Sequence, residues 1–280
     1  ELYSGARKMY RILPQKGEPF DITDNHILAL SWQREGEVYY EEISLADHIE
    51  RGGNEHKKLY RANAVTFAAK EEPKIDPYFL GILLGDGGGF PKRRSLGVTN
   101  IDQEIIDEVY KIANLFFLKV KKRAFSGRCP TYYIVGKYGK RNPLKTILWD
   151  LGLTTNEKYI PFSIKTGSLK VRRAVLAGLL DTDGSYTGKG FDFISKFKQL
   201  SEDVVFVARS LGKAAYLSEC EKVCVHPDGK RTKGIYYRVS LSGDFTDLPI
   251  KVMRKIPNKR KQVKSVLRTR IKSIEYLGKQ

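Results

Sequence analysis

Asp86 and Asp183 close two segments that read as variants of one another, FLGILLGDG over 79–87 and LAGLLDTDG over 176–184. Each is an apolar run that contains a glycine and ends in Asp-Gly, and equivalent positions lie 97 residues apart. Two carboxylates on a duplicated scaffold suit a site built across a pseudo-twofold axis, with one acid from each half. Asp is a short, hard oxygen ligand of the kind Mg²⁺ accepts, an ion that takes few protein ligands and keeps several waters. Lysines repeat with the acids: Lys158 lies 72 residues after Asp86, and Lys255 lies 72 after Asp183. Counted back from the next proline, Lys158 is three before Pro161, whereas Lys255 is two before Pro257 and Arg254 three before. Lys255 is therefore the second-half candidate and Arg254 its alternative. A cation at such a position stabilises charge on a phosphate or perturbs an attacking water.

The charge balance agrees with a polyanionic partner. Lys plus Arg number 50 against 32 Asp plus Glu, a net charge of +18 over 280 residues, and charge of that size speaks of partners rather than of fold. The sixteen tyrosines and thirteen phenylalanines among the basic residues suit sugar–phosphate surfaces. No apolar run approaches the roughly 18 residues of a membrane span, and no signal peptide opens the chain, which leads to the expectation of an intracellular protein with no membrane partner. Cys129, Cys220 and Cys224 form no CxxC and are odd in number, so they read as reduced thiols rather than zinc ligands.

The elements that must carry these acids also repeat. After Asp86-Gly87 come a basic turn (GGFPKRRS), a strand (SLGVTN), the amphipathic helix IDQEIIDEVYKIANLFF and a hairpin (KVKKRAFSGRCPTYYIVGKYG). After Asp183-Gly184 come SYTGKG, the strand FDFISK, the helix QLSEDVVFVARSLG and a longer hairpin through Pro227-Asp228-Gly229, a turn signal. Each half continues with a predicted short helix (LKTILWDLGL; FTDLPIKVMR) and a basic segment with Ile-Pro. A period this long is a duplicated domain and not a solenoid. Asp76 can N-cap the first motif helix, and Pro77 suits its first position. Both motif helices are apolar nearly all round and should be buried. Gly81 and Gly178, at the same motif position, would let the two backbones approach closely and bring Asp86 and Asp183 together. The first 72 residues alternate in β fashion, with a short turn at Thr23-Asp24-Asn25-His26, and the last stretch, VKSVLRTRIKSIEYLGKQ, reads as a strand returning to them. Cys220 and Cys224 fall on one face of a hairpin strand, and Trp32 and Trp149 read as core.

At these residues the chain resembles the LAGLIDADG homing endonucleases, in the single-chain form with two copies of the motif, over roughly residues 75–262. The resemblance implies an α+β fold of two pseudo-symmetric αββαββα repeats forming a DNA-binding saddle, beside an N-terminal, mostly-β remnant. The expected organisation is 1–74 as a β-rich remnant of an intein splicing domain, 75–168 as the first repeat, 169–262 as the second, and 263–280 as the returning strand. It implies site-specific hydrolysis of double-stranded DNA at a long asymmetric site by a monomer, with Mg²⁺ or Mn²⁺ and no small-molecule cofactor beyond the metal. Asp86, Asp183, Lys158 and Lys255 would act, with the Gly85 and Thr182 carbonyls as further metal ligands. DNA contacts would come from Lys92, Arg93 and Arg94; Lys121, Lys122 and Arg123; Lys137, Lys140 and Arg141; Lys230, Arg231 and Lys233; and Lys259, Arg260 and Lys261. Nine of the nineteen residues from Arg254 to Lys272 are basic, which looks like a rail for phosphates.

The flanks look like parts of an intein. FDITDNHILAL is similar to the segment carrying the histidine of the first splicing step, here His26; EKYIP resembles the endonuclease lysine segment; RTRIKSIEYLGKQ looks like the lead-in to the C-terminal splicing block. The chain departs from that pattern in starting at Glu1 rather than a nucleophilic Cys or Ser, and in lacking a final His-Asn. The expectation is a trimmed protein unable to splice, so His26 is assigned no activity. The first motif also carries Leu84 where the signature has its earlier acid. The competing classes are an RNA maturase reusing the scaffold without cleavage, which loss of an acid or lysine would favour, and a self-splicing intein, which the termini oppose.

Overall fold

Alternating apolar and polar residues near the N-terminus form β1 (Lys8–Pro14), β2 (Phe20–Thr23), β3 (Ile27–Arg34), β4 (Glu37–Ser44) and β5 (Lys58–Tyr60). Between the last two lies a short helix, α1 (Leu45–Glu50), whose N-cap Ser44 accepts from the Asp47 amide. The chain end adds β14 (Arg268–Thr269) and β15 (Ile271–Lys279). These strands form two antiparallel sheets, β15-β1-β2 and β14-β5-β3-β4, around a small core of Ile12, Ile22, Leu28, Leu30, Ile43 and Leu45. The computed structural model describes residues 5–53, 56–68, 72–90, 95–136, 140–225, 231–259 and 268–279. The chain divides into two compact units, 1–63 with 262–280, and 64–261.

The second unit is α+β and contains both acidic motifs. In chain order it runs α2 (Pro77–Asp86), β6 (Gly87–Gly88), β7 (Ser95–Thr99), α3 (Gln103–Leu115), β8 (Lys119–Arg123), β9 (Thr131–Val135) and α4 (Pro143–Asp150). A one-turn helix α5 (Phe162–Lys165) leads into the second series: α6 (Leu169–Asp183), β10 (Gly184–Tyr186), β11 (Gly190–Ser195), α7 (Lys198–Ser210), β12 (Ala214–Val225) and β13 (Arg231–Ser242). The sheets have matching order, β6-β7-β9-β8 and β10-β11-β13-β12, all antiparallel. One continuous core joins α2 and α6 to both sheets and to α3 and α7.

The starts of the motif helices follow from local chemistry. The Asp76 carboxylate accepts from the Phe79 amide ahead of Pro77, and the Ser168 hydroxyl accepts from the Val171 amide. Their Asp-Gly ends follow from crowding rather than from left-handed backbone. Gly87 and Gly184 have φ of −79° and −83°, but a Cβ would sit 2.2 Å from the Leu83 carbonyl oxygen or 2.4 Å from that of Leu180.

Three expectations are corrected. No helix forms over FTDLPIKVMR; Met253–Lys255 makes one 3₁₀ turn. Pro249 lacks a donor, and the amides of Lys251, Val252 and Met253 bond to the carboxylates of Asp181 and Glu104 instead of to a helical ladder. Trp149 is 49% exposed, with the Arg141 guanidinium over its ring, because the buried stripe of α4 is Leu144 and Leu148. Trp32 is only half-buried, between Tyr39 and the Lys57 ammonium.

Candidate active site

The acids owe their position to the crossing of α2 and α6. At Gly81 a Cβ would lie 2.4 Å from the Val175 carbonyl oxygen, and at Gly178 one would lie 2.1 Å from that of Tyr78. The backbones thus touch where both glycines stand. Four residues on, Gly85 faces Thr182, whose hydroxyl would be 2.0 Å from an added Cβ. Asp86 and Asp183 follow directly, each the last residue of its helix and each half-buried.

Burial governs their charge. It raises the Asp183 carboxyl to about 6, with the nearby Asp86 carboxylate adding to the shift and Lys158 and Lys255 opposing it. Asp86 is also raised by burial, but the Asn100 amide counters by donating to its Oδ2 at 2.6 Å. Asn100 in turn accepts from the Asp102 amide at the start of α3. No donor reaches Asp183 among the described residues; at the corresponding place Ser195 accepts from the Phe197 amide. Asn100 is thus a site residue that the sequence reading passed over. Its position one residue before Ile101-Asp102 looks like a helix lead-in, and only the fold turns its amide toward the acid.

Both lysines return to the helix ends. Lys158 Nζ donates to the Gly85 carbonyl. Lys255 Nζ donates to the carbonyls of Leu180 (3.1 Å), Asp181 (2.7 Å) and Thr182 (3.1 Å). A cation at a helix C-terminus meets the negative end of the helix dipole and its free carbonyls. Burial lowers Lys158 to about 8, against the pull of Asp183 and Asp86, and it lowers Lys255 as well. Arg254 is exposed and pairs with Asp102 at 2.6 Å. Of the two alternatives, only Lys255 reaches the helix end beside Asp183.

The donors suit a hard divalent cation. Two carboxylates converge, neither consumed by an ion pair among the described residues, and the Gly85 and Thr182 carbonyl oxygens stand beside them. Each carbonyl already accepts from a lysine, which leaves it a second lone pair. Among the described residues no three His, Cys, Asp or Glu side chains are grouped for a metal. A cation here would rest on the two carboxylates, backbone oxygens and water, which is how Mg²⁺ is commonly held.

Strand alternation divides the basic residues between sheet faces. In the first sheet Val120 pairs Ile134 and Lys122 pairs Tyr132, and Ile134 and Tyr132 are buried. Lys122 therefore shares the core-side face, whereas Lys119, Lys121 and Arg123 lie on the open one. In the second sheet Val239 and Leu241 are buried, so Arg231 and Lys233 fall on their face, and Lys222 and Arg238 on the open one with Tyr236. Lys119, Lys222 and Arg238 share the open faces by strand alternation, which runs of charge do not reveal. Lys140, Arg141 and Lys259 are exposed. Lys92, Arg93, Arg94, Lys137, Lys230, Arg260 and Lys261 lie outside the described residues. Among the described residues no helix is long and apolar enough to cross a membrane.

The chain is similar in part to known proteins. The chain is 23% identical over 236 residues to a replication factor C small subunit of Methanocaldococcus jannaschii, covering 84% of this chain and 12% of that protein. It is 21% identical over 241 residues to the replication factor C small subunit of Thermococcus kodakarensis, covering 85% and 25%. The chain thus spans a quarter or less of these curated relatives. A solved structure of I-DmoI in complex with DNA and Mn has 18% identity and a TM-score of 0.39, covering 66% of this chain and 97% of that one; a mesophilic variant of I-DmoI gives the same identity and TM-score over 59% and 81%. Residues 159–269 match the family model for homing endonucleases. Asp183, Lys255 and the strands of the second sheet lie inside that match, and Asp86 and Lys158 lie before it.

Proposed function

We propose that this chain is a site-specific endonuclease that hydrolyses double-stranded DNA at a long, asymmetric site as a monomer, with Mg²⁺ or Mn²⁺. The observation that carries the reading is the paired arrangement at the ends of α2 and α6, where an aspartate and a lysine from each repeat meet within one unit. Asp86 and Asp183 would hold the divalent ion, which supplies Lewis-acid stabilisation of charge on the scissile phosphate. Lys158 and Lys255 would offset charge developing on the phosphate oxygens from positions their carbonyl partners already hold. The open faces bearing Lys119, Lys121 and Arg123, and Lys222 and Arg238, would track phosphates and base edges. Because these faces differ in length and charge, the two half-sites should differ. By their similarity to intein segments, residues 1–74 and 263–280 are read as resembling an intein splicing domain.

The test is incubation with Mg²⁺ and a library of long duplexes, followed by sequencing of the cut ends. A single asymmetric cut site is the expected result. Asp86→Asn and Asp183→Asn should each slow double-strand cleavage by at least about 10³-fold and leave affinity within about tenfold, because phosphate contacts dominate binding. Normal double-strand cutting by either variant would sink the assignment, and binding by the parent without any cutting would favour the maturase-like reading.

A further inference from the structure

Asp181 is fully buried, two residues before the acid of the second motif, and takes no part in the chemistry proposed above. Its carboxylate gathers three donors from two directions: the Tyr78 hydroxyl on α2 at 2.6 Å, the Lys251 amide at 2.8 Å and the Val252 amide at 3.4 Å. The first donor belongs to the opposite repeat. The other two begin the segment that ends at Lys255, whose ammonium sits on the last carbonyls of the same helix, that of Asp181 included. This strap is also tied to α3 of the first repeat, through Lys251 to Glu108 at 2.5 Å, the Met253 amide to Glu104 at 3.0 Å, and Arg254 to Asp102 at 2.6 Å.

We propose that Asp181 is a positioning residue that fixes the Lys251–Lys255 strap, and with it the Lys255 ammonium, relative to the end of α6. The strap has no helix or strand of its own beyond one 3₁₀ turn, in which the Lys255 amide donates to the Val252 carbonyl, so the amides of Lys251, Val252 and Met253 depend on side-chain acceptors. Asp181 supplies the acceptors at the near end. The first repeat has no such group: Leu84 stands at the equivalent place, and its lysine segment is held from beyond Lys158, where the Ile160 amide donates to Asp203 at 2.8 Å. Loss of Asp181 should therefore loosen one lysine and spare the other. In an enzyme with one lysine per centre, that becomes unequal cutting of the two strands, a consequence that rests on the endonuclease reading.

Two readouts keep the proposal and that reading separable. In the first, the folded full chain is acylated with a limiting amine reagent, and Lys255 and Lys158 are quantified by mass spectrometry. Asp181→Asn, which replaces one acceptor oxygen by a donor, should raise Lys255 labelling by about tenfold, the scale of losing local protection, with Lys158 within about twofold. Tyr78→Phe, which removes one donor and leaves the carboxylate, should move Lys255 in the same direction by less. In the second, supercoiled plasmid carrying the target site is digested with Mg²⁺: Asp181→Asn should accumulate nicked circles cut in one strand, where the parent yields linear product. Unfolding would lower both strand rates and expose both lysines together. Unchanged relative labelling in Asp181→Asn overturns the positioning role, as does an unchanged strand ratio from an active parent. A parent that cuts no DNA while Asp181→Asn still exposes Lys255 leaves the positioning role standing and removes the endonuclease reading.

Discussion

The two repeats share a sheet order and a helix crossing, yet each feature at their centre is built differently. Lys158 has one carbonyl partner and Lys255 three. Asp86 has the Asn100 amide, and Asp183 has no donor among the described residues. Where the second repeat has Thr182 and buried Asp181, the first has Gly85 and Leu84. The hairpins differ as well: β8 and β9 have five residues each, whereas β12 and β13 have twelve. What the repeats keep in common is the backbone at the crossing; side-chain support for each acid and lysine has diverged. Two centres supported differently should respond differently when a supporting residue is replaced.

The common part can be broken first. Gly178→Ala forces a Cβ against the Tyr78 carbonyl at 2.1 Å, with no side chain able to yield, and should destabilise the fold by about 3 kcal/mol or more, measured by chemical denaturation. Gly85→Thr meets a side chain, Thr182, and should be partly relieved when Thr182→Gly is added; no relief would show that the two residues do not limit the crossing. The lysines test the divergent part. Lys158→Ala and Lys255→Ala should each slow cleavage by roughly 10²-fold, while Arg254→Ala should change the rate by less than about threefold because its side chain is exposed on Asp102. A large loss at Arg254 with a small one at Lys255 would reverse that assignment.

The acids differ in a pH-dependent way. Burial, with Asp86 beside it, raises Asp183 to about 6 from 3.8, so the folded protein holds this proton more tightly than the unfolded chain. The stability this proton contributes is then fully present below about pH 3.8 and is lost as pH rises from there through about 6, as the buried carboxylate ionises. Metal-free Asp183→Asn lacks that charge. It should exceed the parent in stability by on the order of 1–3 kcal/mol at pH 7 and differ little at pH 4, and an equal gap at both values would break the prediction. The smallest effect concerns the turns after α3 and α7. Phe117 adopts φ 53° where the second repeat has Gly212 at φ 72°, so Phe117→Gly should stabilise by about 1 kcal/mol in thermal melts.

Much of this was legible from residue types at fixed spacing. The recurrence of Asp-Gly after a glycine-bearing apolar run marked both helices, and Asp76-Pro77 marked the start of α2. The lysine spacing marked Lys158 and Lys255, though telling Lys255 from Arg254 needed the fold, because adjacent residues in one 3₁₀ turn point to opposite neighbours. Asn100 and Asp181 were hidden for a related reason: their partners lie in other elements, and a single polar residue carries no period. The segment after Leu248 misled through its apolar spacing. Its amides bond to carboxylates distant in sequence, which no local propensity reveals. On the strands, charge runs obscured the alternation that separates Lys121 from Lys122 and Arg238 from Lys233.

The gap between Gly85 and Thr182 admits a single side chain. A homodimer made only of second repeats would set a threonine against its own copy at the twofold axis, where an added Cβ on one side already falls 2.0 Å from the threonine hydroxyl. The duplicated halves are in this respect no longer interchangeable parts. With threonine on one side and glycine on the other, the pair is a lock and its key within one polypeptide, and two identical chains of second repeats could not meet there without a smaller residue at that position.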